Sequence, residues 1–325
     1  TKGARAVKSV SAQMKLALTG TPVENRLSEL WSIFDYLMPG FLYSYEHFKK
    51  NFEMPIMKKE NEDAMADLQK MIHPFILRRL KKEVLSDLPD KIEKCVTIPL
   101  EGEQKKLYDA HVQRLKFMLE NEEFANIRMQ VLAELTRLRQ LCCDPALIYQ
   151  DYQEGAAKME LCMELLNNAV NGGHKVLLFS QFTSMLGILE KRMEEAGIGY
   201  YSLTGSTPKK ERMELMEKFN RDATPVFCIS LKAGGTGLNL TGADVVIHYD
   251  PWWNVAAENQ ATDRAHRIGQ KRVVTVYKLV AEHTIEEKVV ELQQKKKELA
   301  DQVLSGEEMG SILFDREELL KLFQN

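Results

Sequence analysis

Apolar positions along this chain recur with two different spacings, and the change of spacing divides it. From about residue 156 onward, short unbroken apolar runs alternate with amphipathic stretches. The runs "KVLLFS" (175–180), "GYYSLTG" (199–205), "PVFCISL" (225–231), "DVVIHYD" (244–250) and "VVTVYKLV" (273–280) have the length and β-branched content of strands. An unbroken run, rather than an alternating one, is what a strand covered on both faces requires. Between them lie segments with apolar residues at helical spacing: Ala157 to Asn171, closed by "GG" at 172–173, then 182–196, 208–220 and about 255–267. Strands separated by helices of this length predict a parallel sheet with helices on both faces.

The first 155 residues follow another pattern. "KLALT" (15–19) reads as a strand, followed by a Gly/Pro turn and a helix from Arg26 to Leu37 that stops at Pro39 and Gly40. Residues 44–98 mix helical periodicity with the basic run "RRLKK" (78–82) and a further strand, "KCVTIPL" (94–100). Leu107, Val112, Leu115 and Leu119, and then Val131, Leu135, Leu138 and Leu141, predict at least two helices packed together. Residues 284–304 read as one long charged helix.

Composition narrows the classes. With 325 residues and 44% hydrophobic residues the chain can build two or three cores. Its formal net charge of -3 means that any nucleic-acid surface must come from local clustering. None of the five cysteines forms a CxxC pair and no histidine has metal-ligand spacing, which points to a reducing compartment and away from zinc. The apolar runs are far shorter than the roughly 20 residues needed to cross a bilayer. The opening "TKGARAVKSVSAQMK" lacks the apolar segment of a signal peptide. The expectation is a soluble intracellular protein with no membrane partner.

Ligands of parallel sheets collect at the carboxyl ends of the strands. There the chain carries "KAGGTGLNLTGAD", whose Gly234, Gly235 and Gly237 would let backbone N–H groups approach a phosphate, although an ordinary tight loop has the same composition. No GxGxxG or GxxxxGK[ST] occurs. If the helix runs over 255–267, Gln260, Arg264 and Arg267 fall at i, i+4 and i+7 on one stripe, with alanines beside them for close packing. Two forked, permanently charged guanidinium groups suit the spread charge of a transferring phosphoryl group. Asp263 and Arg267 also fit a plain i to i+4 ion pair on a solvated face.

Five segments taken in order resolve that choice: "LALTGTPVENRLSELWSIFDYLMPG", "KVLLFSQFTSML", "YSLTGST", "ISLKAGGTGLNLTGADVVIHYDPWWN" and "QATDRAHRIGQ". Together, from near residue 1 to about 300, they resemble the Swi/Snf-type ATPases, double-stranded DNA translocases of helicase superfamily two. The resemblance implies an α/β, RecA-like parallel sheet with a helical insertion and a C-terminal brace helix. It divides the chain into a remnant of a first RecA-like lobe (1–43), a mainly helical insertion (44–155), a second lobe (156–281) and a brace helix with tail (282–325). Arg264 and Arg267 would be arginine fingers reaching ATP held by the first lobe, with Gln260 lining the same cleft. Gly235, Thr236, Gly237 and Asp263 would lie near the nucleotide, and Ser230, Lys232, Thr204 and Gly205 on the DNA backbone. Thr19 and Thr21 of "TGTP" would couple nucleotide state to DNA grip.

The resemblance implies as partners double-stranded DNA, the first lobe and a DNA-bound protein that is moved. Since no phosphate cradle or acidic box is present, ATP with Mg²⁺ would be held mainly by a first lobe beyond these residues. The chain alone is then expected to be inactive and to hold no nucleotide. Val255 stands where the family usually has proline after "PWWN". The compact insertion and the absence of low-complexity tails favour a bacterial cytoplasm or nucleoid over a nucleus. A non-catalytic scaffold with the same fold, or a strand-separating helicase, are the alternatives.

Overall fold

The computed structural model describes residues 6–19, 27–59, 61–77, 79, 85, 87–231, 233 and 238–305. These fold as two compact units. The first draws on the described residues within 6–79, 254–256 and 291–305, and the second on those within 85–253 and 257–290.

In the first unit, α1 (Leu27–Leu37) is followed by α2 (Tyr45–Phe48), a π-helical turn (Lys49–Glu53), α3 (Met54–Lys59) and α4 (Glu62–Ile72). Leu27, Leu30 and Phe34, at helical spacing on α1, pack with Phe48, Phe52, Leu68 and Ile72 into one core. Buried Glu53 is satisfied by the Ser28 N–H at 3.2 Å and the Tyr45 hydroxyl at 3.0 Å. The expected strand 15–19 is not formed: the segment is irregular, and Leu16 and Leu18 are 76% and 100% exposed. A strand requires a neighbour to accept its N–H groups, and no described strand pairs with this one.

The second unit is built on a six-stranded, wholly parallel sheet. Its strands are β1 (Lys91–Pro99), β2 (Val176–Ser180), β3 (Tyr200–Leu203), β4 (Val226–Ser230), β5 (Val245–His248) and β6 (Val274–Glu282), in the order β1-β6-β5-β2-β4-β3. The helices are α5 (Gly102–Asn121), α6 (Phe124–Cys143), α7 (Ala157–Asn171), α8 (Thr183–Glu195), α9 (Lys209–Arg221) and α10 (Val255–Thr262). A last helix, α11, runs from Ile285 to Ser305.

Alternate residues of each central strand enter opposite cores, as the two-residue strand period requires. Val176, Leu178, Val226, Cys228, Val245 and Ile247 pack with α7 and α8. Leu177, Phe179, Phe227, Ile229 and Val246 pack with Met216 and Phe219 of α9 and Ala261 of α10. Helices therefore cover both faces. Helices α5 and α6 form a hairpin over a separate core with Leu100, Ala281 and Ile285.

Strand β1 comes from the stretch assigned to the helical insertion, yet it lies in the sheet, register-paired with β6 from Lys91↔Val274 to Pro99↔Glu282. The sheet thus extends beyond the 156–281 expected for the lobe. That pairing joins residues far apart in sequence, and local periodicity carries no sign of it. No helix among the described residues is long and apolar enough to cross a membrane.

Candidate functional site

The chain leaves β2 towards β3 on one side, returns to β4, and crosses to β5 and β6 on the other. The order reverses beside β2, and such a switch point opens a crevice at the carboxyl ends of the flanking strands. There Asp250, 1% exposed, accepts from Ser180 Oγ at 2.6 Å, from the Gln181 N–H at 3.3 Å and from the Gln181 side-chain amide. Ser180 Oγ in turn accepts from the Phe182 N–H at 3.1 Å, fixing the entry to α8.

The segment after β5 is held residue by residue from different elements. Lys158 Nζ of α7 donates to the Tyr249 carbonyl at 3.0 Å and to both oxygens of Glu286 at 2.6 and 2.8 Å. Arg139 of α6 donates to the Pro251 carbonyl at 2.6 Å. The Trp252 N–H donates to Glu258 of α10 at 3.2 Å, and the other oxygen of Glu258 is 2.6 Å from Lys278 Nζ. Trp252 and Trp253 are half-buried against two different cores, so they anchor this segment.

Helix α10 brings in the arginines, but not as one exposed stripe. It ends at Thr262, and residues 263–269 are turns. Leu240 N–H takes the Arg264 carbonyl at 3.0 Å, which a continuing helix would have offered to residue 268. Thr262 Oγ1 is fixed from β5 by His248 Nε2 at 2.9 Å. Gln260 is exposed, Asp263 and Arg267 are half-buried, and Arg264 is only 7% exposed. Arg267 Nη1 donates to the Leu238 carbonyl at 3.1 Å.

Arg264 Nε is buried with no hydrogen-bond partner among the described residues. Burial, then the neighbouring Arg267 cation, lowers its proton affinity, and Asp263 opposes them. Buried His248 likewise leaves Nδ1 unpartnered, and burial holds its pKa below the usual 6.5.

Thr204 follows β3 and Gly205 opens an exposed turn. Arg212 of α9 clamps that turn, donating to the carbonyls of Thr207 at 2.8 Å, Gly205 at 3.1 Å and Thr204 at 3.2 Å. Ser230 is 3% exposed at the end of β4, paired in register with Ser180. Thr19 is exposed, in the other unit. Lys232, Gly235, Thr236, Gly237 and Thr21 lie outside the described residues, as does most of "RRLKK".

Sequence reasoning missed Asp250, Arg139, His248 and Lys158. Asp250 had a legible signal, an acidic residue directly after a fully apolar strand. The other three are recognised only by what they touch.

Residues 1–147 match the SNF2-related domain, and residues 157–269 match the helicase conserved C-terminal domain. The chain belongs to the SNF2-related ATPase family. A Mycoplasma pneumoniae protein described as an uncharacterized ATP-dependent helicase is 41% identical over 325 residues, covering 98% of this chain and 31% of that protein. The TATA-binding protein-associated factor MOT1 of Saccharomyces cerevisiae is 36% identical over 383 residues, covering 99% and 20% respectively. Among solved structures, the Sulfolobus solfataricus SWI2/SNF2 ATPase core in complex with dsDNA is 38% identical with a TM-score of 0.57, covering 94% of this chain and 66% of that one. The chain spans a third or less of the length of these two curated relatives. Its six parallel strands with flanking helices have the RecA-like architecture of SNF2-related ATPase cores. The sequence contains no GxxxxGK[ST], the pattern of a P-loop phosphate cradle.

Proposed function

We propose that this chain is the second motor lobe, with adjoining helices, of an ATP-dependent double-stranded DNA translocase that moves or displaces DNA-bound proteins. The observation that carries the reading is Arg264, an almost fully buried guanidinium whose Nε has no hydrogen-bond partner among the described residues, three residues from a second arginine. A cation held out of water beside a second cation, with only Asp263 to offset them, is costly, and an ATP γ-phosphate presented by a first lobe would relieve that cost. In this reading the described arrangement is a withdrawn one, and Arg264 swings outward when nucleotide arrives. Arg267 is the second finger, and exposed Gln260 lines the cleft.

ATP with Mg²⁺ is held mainly by the first lobe. Gly235, Thr236, Gly237 and Asp263 approach the nucleotide, while Ser230, Lys232, Thr204 and Gly205 serve the DNA backbone and Thr19 and Thr21 the coupling. Ser230 is 3% exposed here, so its part requires its surroundings to open. The division at 1–43, 44–155, 156–281 and 282–325, with α11 as brace, belongs to the same proposal. The dsDNA bound to the Sulfolobus solfataricus core and the TATA-binding protein in the yeast relative's name support DNA and a DNA-bound protein as partners.

The test joins this chain to a first lobe bearing GxGKT and measures DNA-stimulated ATP hydrolysis. Arg264→Ala and Arg267→Ala should each lower turnover by about 10³-fold or more, and turnover equal to wild type would remove the finger assignment. Strand displacement on forked DNA separates the outputs: robust unwinding favours a helicase over a translocase.

A further inference from the structure

Arg139 does nothing in the reading above, and its surroundings are unusual. It lies on α6, outside the sheet, and is 5% exposed. Nη2 donates to the Pro251 carbonyl at 2.6 Å. The nearest carboxylate, Asp250, is 4.0 Å away and already engaged by Ser180 and Gln181. The guanidinium carbon is 5.4 Å from the ring centre of Trp253 and 5.9 Å from that of Phe182. Nε is buried with no hydrogen-bond partner among the described residues.

Taking a cation out of water for one hydrogen bond to a carbonyl, two aromatic rings and a carboxylate 4.0 Å away that is already engaged elsewhere is a poor bargain for stability alone. Methionine would fill the space without the desolvation penalty. What arginine adds is geometry: its flat fork can hydrogen-bond in its plane while its faces meet aromatic rings. Phe182 opens α8 at the end of β2, and Trp253 ends the segment after β5. Arg139 therefore fixes the two sides of the switch-point crevice relative to each other.

We infer that Arg139 is a positioning residue: it locks the 250–253 segment and, through the Trp252 to Glu258 hydrogen bond, sets where α10 carries Gln260, Arg264 and Arg267. The catalytic part of this inference rests on the finger reading above; the positional part does not. It also assigns the α5–α6 hairpin a role, since a displacement of α6 would pass through Arg139 to the crevice.

The test compares Arg139→Met, which keeps bulk without charge, and Arg139→Lys, which keeps charge and reach without the flat faces. In this chain, hydrogen exchange of the backbone amides of 249–262 should quicken about tenfold in Arg139→Met, the mark of a local opening, while β2 and β4 stay protected. Arg139→Lys should restore part of that protection. If Arg139→Met does not fold, Arg139→Lys alone decides, by the same contrast between 249–262 and the central strands. Unchanged exchange in 249–262, or equal quickening in all strands, overturns the inference. With the chain joined to a GxGKT-bearing lobe, Arg139→Met should lower kcat by about 10- to 100-fold at unchanged KM for ATP, with partial rescue by Arg139→Lys; a change confined to KM would also overturn it. If Arg264→Ala leaves turnover intact, the finger reading falls while the exchange result still decides the positional claim.

Discussion

Lys158 and Arg264 are both cations taken out of water within the same unit, and the protein treats them in opposite ways. Lys158 is 0% exposed and fully answered: two oxygens of Glu286 and the Tyr249 carbonyl use its three donors. Glu286 is completed by the Ala281 N–H at 2.9 Å. Arg264 is nearly as buried, yet its Nε is unanswered and a second arginine stands close by. A fully satisfied buried charge fixes structure, whereas a partly satisfied one carries a cost that something else must offset: in the readings above, a positioning role for Arg139 and a nucleotide for Arg264. Burial alone therefore does not separate scaffold from site; what each donor meets has to be counted as well.

The largest effects should break the comparison in opposite directions. Arg264→Met should leave thermal stability equal or raised, because it removes a buried cation that Asp263 only partly offsets, while ATP turnover with a first lobe falls by about 10³- to 10⁵-fold. Loss of stability comparable to that of a broken ion pair would show that Arg264 is structural. Glu286→Gln should do the reverse, destabilising the unit by about 3–5 kcal/mol in denaturant titrations by stranding the Lys158 ammonium. The double variant Lys158→Met with Glu286→Leu should recover most of that loss. Failure of the double variant to recover would place the cost in packing and not in the stranded charge.

Why some of this was legible in sequence and some not follows from the range of the forces involved. Strands β2 to β6 and helices α7 to α9 lie within a residue or two of where their apolar spacing puts them, because those periods are local. The end of α10 was misread over five residues. Ala261 and Ala265 continue the helical pattern, but the Leu240 N–H captures the Arg264 carbonyl from another loop. The strand at 15–19 was misread because apolar alternation says nothing about whether a neighbour is present. The arginines themselves were visible by type and spacing; Arg264's inward position and missing partner were not.

A smaller effect tests the third buried group in the comparison. His248 lies among Glu258, Lys278, Asp250 and Glu93, and burial comes first in lowering its pKa. Its folded value is below its unfolded value of about 6.5, so the unfolded chain binds the extra proton first. The stability contributed by neutral His248 is full above pH 6.5 and is lost as pH falls from there through the lowered pKa, with a slope of at most about 1.4 kcal/mol per pH unit for one proton. His248→Gln should flatten that part of the stability profile. An unaltered slope in the variant would assign the acid sensitivity to other groups.

The smallest effect is expected where a cation is neither buried nor unanswered. Arg212 spends its guanidinium on three backbone carbonyls of the 204–207 turn, so it shapes the proposed DNA contact at Thr204 and Gly205 without itself touching a phosphate. Arg212→Lys keeps the charge but loses the fork, and with it two of three charge-assisted hydrogen bonds to backbone carbonyls. Duplex DNA affinity should then weaken by about five- to tenfold, while the slope of log affinity against log salt stays as it was, because the number of phosphates neutralised is unchanged. A slope reduced by about 0.9 would instead count Arg212 among the phosphate contacts and make the turn a reader of the backbone in its own right.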